Sequence, residues 1–296
     1  MTLEFDIKSI GNNFAAYVKG VDLTRELPKN LCEKIEQGLD QYAVLIFPNQ
    51  NINDKQQRNF SRRFGVLERP GDNSSLKKEK DNRLGHPEMA DVGNLASEKK
   101  PYHKDDKNRL FNLGNRLWHS DSSFKKIPAK YSILSARSQW KVGGETEFAD
   151  MRAAYDELDE KIKVKIENMV CEHSLFFSRQ MLGFDMAGSL SDTEKANFKP
   201  VPQPLVRSHP VTGRKSLFLA AHIGTIKGWL RPDAMCFIRD LTEHATSARF
   251  VYRHHWKQYD LVMWDNRQTM HRGRAFDDTE EIRDIRRTTV EGHYLF

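Results

Sequence analysis

A histidine two residues ahead of a carboxylate can converge with it on one ion when the segment is extended, because residues i and i+2 of a strand share a face. The 296-residue sequence holds two His-x-Asp triplets, His103-Lys104-Asp105 and His119-Ser120-Asp121, and a near-match, His86-Pro87-Glu88. With 11 histidines, about one such triplet arises by chance, so context must separate them. His86 and His103 sit in a charged, loop-like stretch and read as solvated. His119-Ser120-Asp121 directly follows Leu117-Trp118, at the end of an apolar run, and leads into Ser122-Ser123-Phe124, polar enough to open onto a pocket. A third ligand is offered by His271, where the apolar run Leu261-Val262-Met263-Trp264 turns through Asp265-Asn266-Arg267 into Met270-His271-Arg272-Gly273. Three ligands leave coordination positions open, as a catalytic metal requires.

Arg283 and Arg287 fall at i and i+4, on one face if 285–289 is a strand. Two guanidiniums aimed into one pocket suit two carboxylates, each held by a bidentate fork. Arg272 and Arg286 read instead as exposed edge residues. Thr146, in Gly143-Gly144-Glu145-Thr146, offers a hydroxyl to one carboxylate.

The elements that would position these groups are short strands with a few helices. Leu31, Ile35 and Leu39 recur at helical spacing and predict a helix over 28–42, running into a β-prone strand over 43–47. A second helix is expected over 54–64, ended by Gly65. From about 68 to 114 apolar residues thin out around one short strand at 89–95, which reads as a lid or insert-like loop region. Strands are expected over 115–118, 131–136 and 145–148, and helices over 151–168 and 232–246. A hairpin of 205–209 and 215–219 turns at Pro210-Val211-Thr212-Gly213. The C-terminal third reads as strands 250–256, 260–264, 270–276 and 285–291. In the first of these, Phe250, Tyr252, His254 and Trp256 alternate with polar partners. The pattern predicts one α+β domain over 1–296 around a double-sheet jelly roll or barrel.

Composition excludes several classes. No apolar run is long enough to span a membrane, and the Met1 start lacks a basic-then-apolar leader, so a cytoplasmic address is expected. The net charge is +6, but 47 basic residues are interleaved with 41 acidic ones. The densest basic stretches, Lys77-Lys78-Glu79-Lys80 and Lys99-Lys100, lack interleaved aromatics and read as solvated loops. No nucleic-acid partner is therefore expected, although the excess can draw in a small anion. Cys32, Cys171 and Cys236 form no metal knuckle and read as small buried or half-buried hydrophobes.

Taken together, His119-x-Asp121, Gly143-Gly144-Glu145-Thr146 and Trp264-Asp265-Asn266 leading to His271 and Arg283 resemble the non-haem iron(II), 2-oxoglutarate-dependent dioxygenases of the taurine dioxygenase (TauD/TfdA) superfamily. The runs 117–124, 146–155 and 262–267 are similar to its 2,4-dichlorophenoxyacetate dioxygenase branch. The resemblance implies a double-stranded β-helix (jelly-roll) core flanked by helices. It implies His119, Asp121 and His271 as a facial triad on Fe(II), with 2-oxoglutarate and O2 as cosubstrates. Arg283 would bind the distal carboxylate of 2-oxoglutarate with help from Thr146, and Trp264 would line that end. Arg287 would face the substrate's anionic group, and Asn94 would stand on the substrate side. The implied reaction hydroxylates a small anionic organic substrate, an aryloxyacetate-type ether cleaved to a phenol and glyoxylate, with release of succinate and CO2. A taurine-type sulfonate or another carboxylate is the alternative within the same chemistry, and a homo-oligomer, dimer or tetramer, is expected. A zinc hydrolase could use the same ligands, but would leave the arginine pair and Thr146 without a purpose.

Overall fold

The central strands bury both faces, and this sets the architecture. The computed structural model describes residues 4–69, 83–97, 99–183 and 199–293. A seven-stranded sheet runs in the order Asp6–Ile10, Ala15–Lys19, Val44–Phe47, Leu261–Asp265, Ala129–Ala136, Ile285–Glu291 and Ala90–Asp91. Leu45, Phe47, Leu261, Met263, Tyr131 and Ile133 point to one side, where they pack with Ile35 and Leu39 of the helix Lys29–Tyr42 and with Phe60 of the helix Asp54–Arg62. Val44, Ile46, Val262, Trp264 and Leu134 point to the other side and meet Phe148. Successive strand residues alternate between faces, so a continuous apolar run is what a sheet covered on both sides demands.

Phe148 belongs to a second sheet, ordered Val251–His254, Thr146–Asp150, Thr269–Gly273 and antiparallel throughout. The Phe148 and Trp264 rings meet edge to face at 5.3 Å, so the two sheets face each other across an aromatic layer. A third sheet pairs Val170–His173 with Val201–Pro204 and Ile223–Ile226. The helix Arg231–Ala245 packs its Ala234, Ile238 and Leu241 into a cluster with Ile223, Leu217 and Met270. The fold mixes α and β elements, and no helix among the described residues is long and apolar enough to cross a membrane.

Several expectations are corrected. Residues 115–118 are not a strand: the 3-10 turn Leu113–Arg116 takes the first two, Leu117 and Trp118 belong to no element, and His119 pairs with His271 as an isolated bridge. The helix expected over 151–168 breaks into Met151–Asp156 and Glu160–Ile166, because Asp159 caps a fresh helix start by accepting from the Lys161 N–H. The strand expected at 89–95 splits into Ala90–Asp91 and Leu95–Ser97. Cys32 and Cys171 are buried, but Cys236 is exposed on the outer face of its helix. His103 is exposed, whereas His86 is half-buried against Arg58. Arg272 and Arg286 are half-buried ion-pair partners of Glu147 and of Asp54 and Asp284. The basic run Lys77-Lys78-Glu79-Lys80 lies outside the described residues.

The turn after the Leu261–Asp265 strand must be held, since it feeds the His271 strand. Asp265 is fully buried and takes a fork from Arg267, Nε at 2.8 Å to one oxygen and Nη2 at 2.6 Å to the other. Gln268 Nε2 and His209 Nε2 add hydrogen bonds to the same carboxylate. Burial alone would raise the Asp265 pKa, but the Arg267 charge and the His209 hydrogen bond hold it well below the usual carboxylate range. The stabilisation is therefore complete above the ordinary carboxylate pKa and is lost as pH falls toward the depressed one. Arg267→Ala should cost roughly 3–5 kcal/mol, the cost of orphaning a buried charge, and should move acid unfolding to higher pH. Denaturant unfolding across pH checks this; an unchanged midpoint would show that the pair does not hold the turn.

Candidate metal centre

Two imidazoles from distant segments are set opposite each other by the backbone. The His119 N–H donates to His271 O at 3.0 Å, and the His271 N–H donates to His119 O at 2.8 Å. This is the narrow hydrogen-bonded pair of an antiparallel ladder, and it brings the rings to 4.3 Å. Asp121 completes the group: its oxygens lie 3.8 Å from His119 Nε2 and 3.7 Å from His271 Nε2. One donor atom from each of the three residues lies within 4.8 Å of the others, and all three residues are buried. His119 Nδ1 donates to Leu117 O at 2.7 Å, which fixes the tautomer and leaves Nε2 as a free lone pair. His271 is oriented by rings instead, with Trp264 at 4.6 Å and Phe148 stacked at 6.2 Å.

Asp121 is braced from three sides. Ser132 Oγ donates to its Oδ2 at 2.7 Å, Arg287 Nη1 donates to its Oδ1 at 2.6 Å, and its backbone N–H donates to Asn266 Oδ1 at 3.1 Å. Asn266 in turn accepts from Trp264 Nε1 at 3.0 Å and donates to Ser132 Oγ at 2.9 Å. Burial would raise the Asp121 pKa, but the Arg287 guanidinium, with the Ser132 hydroxyl among further contributors, holds its carboxyl well below the usual range. Burial pushes both imidazoles below their ordinary value, outweighing the carboxylate between them. An ionised carboxylate between two neutral imidazoles is the two-nitrogen, one-oxygen set that non-haem iron(II) favours.

The walls beyond the triad are cationic. Arg283 is 7% exposed and makes no ion pair among the described residues. Its Nη1 and Nη2 reach only the backbone carbonyls of Val92 (3.1 Å) and Gly144 (3.3 Å), and its Nε is buried without a partner. Burial, with the Arg116 charge adding, pushes its pKa down to about 10. A guanidinium in this position calls for an anion. Thr146 and Trp264 line the same pocket as Arg283 and both histidines. Thr146 Oγ1 accepts from Trp256 Nε1 at 3.0 Å, which leaves the hydroxyl hydrogen free to donate.

Two expected residues take other duties. Arg287 lines the pocket but spends Nη1 on Asp121, so its charge is partly neutralised there. Asn94 is buried and fully engaged: Nδ2 donates to Asp278 O and Glu281 O, and Oδ1 accepts from the Arg283 N–H at 2.9 Å. It braces the segment that carries Arg283 and also stands on the pocket wall. Ser132, Asn266, Arg116 and Trp256 escape notice in the sequence. Only Asn266 carried a signal, as a member of the Trp264-Asp265-Asn266 run.

A second group has similar spacing, Asp40, His209 and Asp265. There the Arg267 guanidinium already forks onto Asp265, and His209 lies between the two carboxylates, so the group is an ion-pair network.

Comparison with known proteins agrees with this geometry. A profile described as taurine catabolism dioxygenase TauD, TfdA family matches residues 6–289. The alpha-ketoglutarate-dependent 2,4-dichlorophenoxyacetate dioxygenase of Burkholderia sp. (strain RASC) is 40% identical over 280 residues, 94% of this chain and 92% of that one. The (S)-phenoxypropionate/alpha-ketoglutarate-dioxygenase of Sphingobium herbicidovorans is 34% identical over 288 residues, 95% of this chain and 93% of that one. The crystal structure of AAD-2 in complex with Mn(II) and N-oxalylglycine has a TM-score of 0.92 at 50% identity, covering 98% of this chain and 99% of that one.

Ser132→Ala removes one of the braces on Asp121. Affinity for Mn(II), followed by the loss of its free-ion electron paramagnetic resonance signal, should fall about 10- to 100-fold, as for other outer-shell partners of metal ligands. Unaltered affinity would mean that the carboxylate is positioned without the hydroxyl.

Proposed function

The chain belongs to the taurine catabolism dioxygenase TauD, TfdA family, and from that premise we propose that it is an iron(II)- and 2-oxoglutarate-dependent dioxygenase acting on a small anionic aryloxyacetate-type ether. His119, Asp121 and His271 hold the metal, and Arg283 with the Thr146 hydroxyl holds the distal carboxylate of 2-oxoglutarate. One observation carries the reading: a buried guanidinium without a counter-ion among the described residues shares a pocket with a neutral-His, ionised-Asp, neutral-His set. A lone buried cation costs several kcal/mol unless an anion arrives. A zinc hydrolase of a neutral substrate has no use for such an anion. The phenoxyacetate and phenoxypropionate in the relatives' names support the substrate class.

Iron with 2-oxoglutarate supplies the oxidation: decarboxylation to succinate and CO2 is coupled to insertion of one oxygen atom from O2 into a C–H bond. At the methylene beside an ether oxygen the product is a hemiacetal, which collapses to a phenol and glyoxylate. The chain's own residues bind and orient. Arg283 and Thr146 fix the far end of the dicarboxylate, and Trp264 packs the wall between them and His271. Arg287 keeps Asp121 ionised and leaves a second edge of its fork toward the pocket. Excluding water strengthens each of these charge contacts.

In the same reading the two sheets closing over the Phe148–Trp264 layer are the halves of a jelly-roll core, and residues 1–296 form one catalytic domain. The described part of the lid-like stretch, from 83 onward, walls the pocket in this reading, which is supported by Val92, Asn94, Tyr102 and Arg109 among the lining residues.

Purified enzyme with iron(II), ascorbate and 2-oxoglutarate should release succinate and a phenol from phenoxyacetate, and zinc should not replace iron. His119→Ala and Asp121→Ala should abolish turnover and weaken metal binding while circular dichroism stays unchanged; activity retained in either removes it from the ligand set. Arg283→Ala should raise the 2-oxoglutarate KM about 30-fold or more, since breaking a buried charge pair costs at least about 2 kcal/mol. An equal rise in the KM for phenoxyacetate would reassign Arg283 to the substrate.

A further inference from the structure

Ser122 directly follows Asp121, and its backbone sits at φ +55°. That is the left-handed region, which costs an L residue energy and persists only where the surroundings impose it. Glycine adopts it freely; serine does not. Something must therefore hold Ser122, at the position next to the anionic member of the ligand set.

The hold comes from Glu68, a buried carboxylate that the proposed chemistry does not use. Ser122 Oγ donates to Glu68 Oε2 at 2.7 Å, and Lys125 Nζ donates to the same oxygen at 2.6 Å. The Lys125 N–H donates to Ser122 O at 2.9 Å, so one carboxylate oxygen gathers both ends of a turn. Gln203 grips the turn's backbone, its Nε2 donating to Ser123 O at 3.1 Å and to Lys125 O at 2.8 Å. Glu68 is in turn anchored on the strand Ile285–Glu291: its N–H donates to Thr289 O at 2.8 Å, and Leu67 bridges Val290. That strand therefore acts on Asp121 twice, through Arg287 on the carboxylate and through Glu68 on the turn that follows. A buried ion pair is a weak source of stability, because desolvation of both charges offsets their attraction. Here the second oxygen, Oε1, is buried with no donor among the described residues, which weakens the case for stability further. What the arrangement does achieve is a fixed backbone.

We propose that Glu68 is a positioning residue for the metal centre: it pins Ser122 in the left-handed conformation and so fixes the direction in which Asp121 presents its carboxylate. The inference rests on the ligand set proposed above. Without the tether Ser122 relaxes toward negative φ, and Asp121, one peptide away, turns against its Ser132 and Arg287 contacts. Glu68 does not line the pocket, so its effect on the centre passes through the turn.

The test is the Mn(II) affinity of the purified protein, read from the free-ion electron paramagnetic resonance signal, beside denaturant unfolding of the metal-free protein. Glu68→Ala should weaken Mn(II) about tenfold or more, as for other outer partners of metal ligands. Adding Ser122→Gly to Glu68→Ala should recover about threefold or more of that loss, because glycine takes positive φ without a tether. Glu68→Gln keeps an acceptor for the Ser122 hydroxyl and loses the charge facing Lys125. It should unfold more easily yet bind Mn(II) within about threefold of the unaltered protein, since an outer hydrogen bond and not a charge is what the ligand needs. Unchanged affinity in Glu68→Ala overturns the role, and so does a loss that Ser122→Gly leaves untouched, which would make Glu68 a general support of the fold. Equal losses in Glu68→Gln and Glu68→Ala overturn the tether in favour of the ion pair. If Glu68→Ala does not fold, Ser122→Ala decides, because it removes the hydroxyl and spares the Glu68–Lys125 pair: weakened Mn(II) supports the tether and unaltered Mn(II) overturns it. An unaltered protein that binds no Mn(II) overturns the ligand set itself.

Discussion

A buried carboxylate that must stay ionised is the constraint on which the centre depends. Asp121 sits among packed aromatic and apolar side chains, where an unpaired charge costs several kcal/mol. Arg287, Ser132 and its own N–H on Asn266 supply the compensation. Each brace comes from a different strand or turn: Ser132 from Ala129–Ala136, Arg287 from Ile285–Glu291, Asn266 from the turn after Leu261–Asp265. The order of the large sheet is therefore also the wiring of the site, because those strands are neighbours in it. Moving any one of them by a register step would turn its brace to the opposite face.

The second, three-stranded sheet explains why the histidines need so little from the sequence around them. His271 is the third residue of the Thr269–Gly273 strand, and that strand is fixed through Thr146–Asp150. His119 has no strand of its own, only the two backbone hydrogen bonds to His271. That is why 115–118 looked like a strand and is not one. The extended apolar residues Leu117 and Trp118 are real, but the pairing begins at His119. Periodicity sees the extension and cannot see where a ladder starts.

The clustering of the triad was legible because chemistry demands rare residue types at tight spacing, and a His-x-Asp pair beside apolar residues is such a demand; the part proposed for Arg283 came from the family resemblance. The support around the triad was not legible. Ser132 is one of several serines, and its duty follows only from the register that sets Ser132 opposite Trp264. Asn94 came to notice only through the family resemblance. Nothing local announces that its amide also engages Asp278, Glu281 and Arg283, contacts spanning nearly two hundred residues. Helix ends fared similarly: Pro28 and the apolar spacing announced Lys29–Tyr42, whereas the break before Glu160 turned on a single capping aspartate. Local signals carry element type, and long-range pairing carries the placement of polar groups.

Charge ties these levels together. The chain's excess of positive charge is modest, yet around the pocket it is concentrated. Arg109, Arg116, Arg274, Arg283 and Arg287 line it, and Asp278 is the acid on the same wall. Asp278 pairs with Arg109 at 2.8 Å and Arg116 at 3.0 Å, so it spends its charge on the entrance and leaves Arg283 behind it uncompensated. Small residues make the arrangement fit. Gly144 has φ +69°, a left-handed backbone that an L side chain strains to adopt, and a Cβ there would crowd Trp140 and the Arg283 Nε. Gly93 lets its backbone approach the Arg283 carbonyl, where a Cβ would fall at 2.3 Å. A pocket of fixed, partly dehydrated cations binds anions strongly because the protein has already met the cost of orienting its donors. It rejects neutral or cationic molecules of the same shape, since those leave the guanidiniums buried and unpaired.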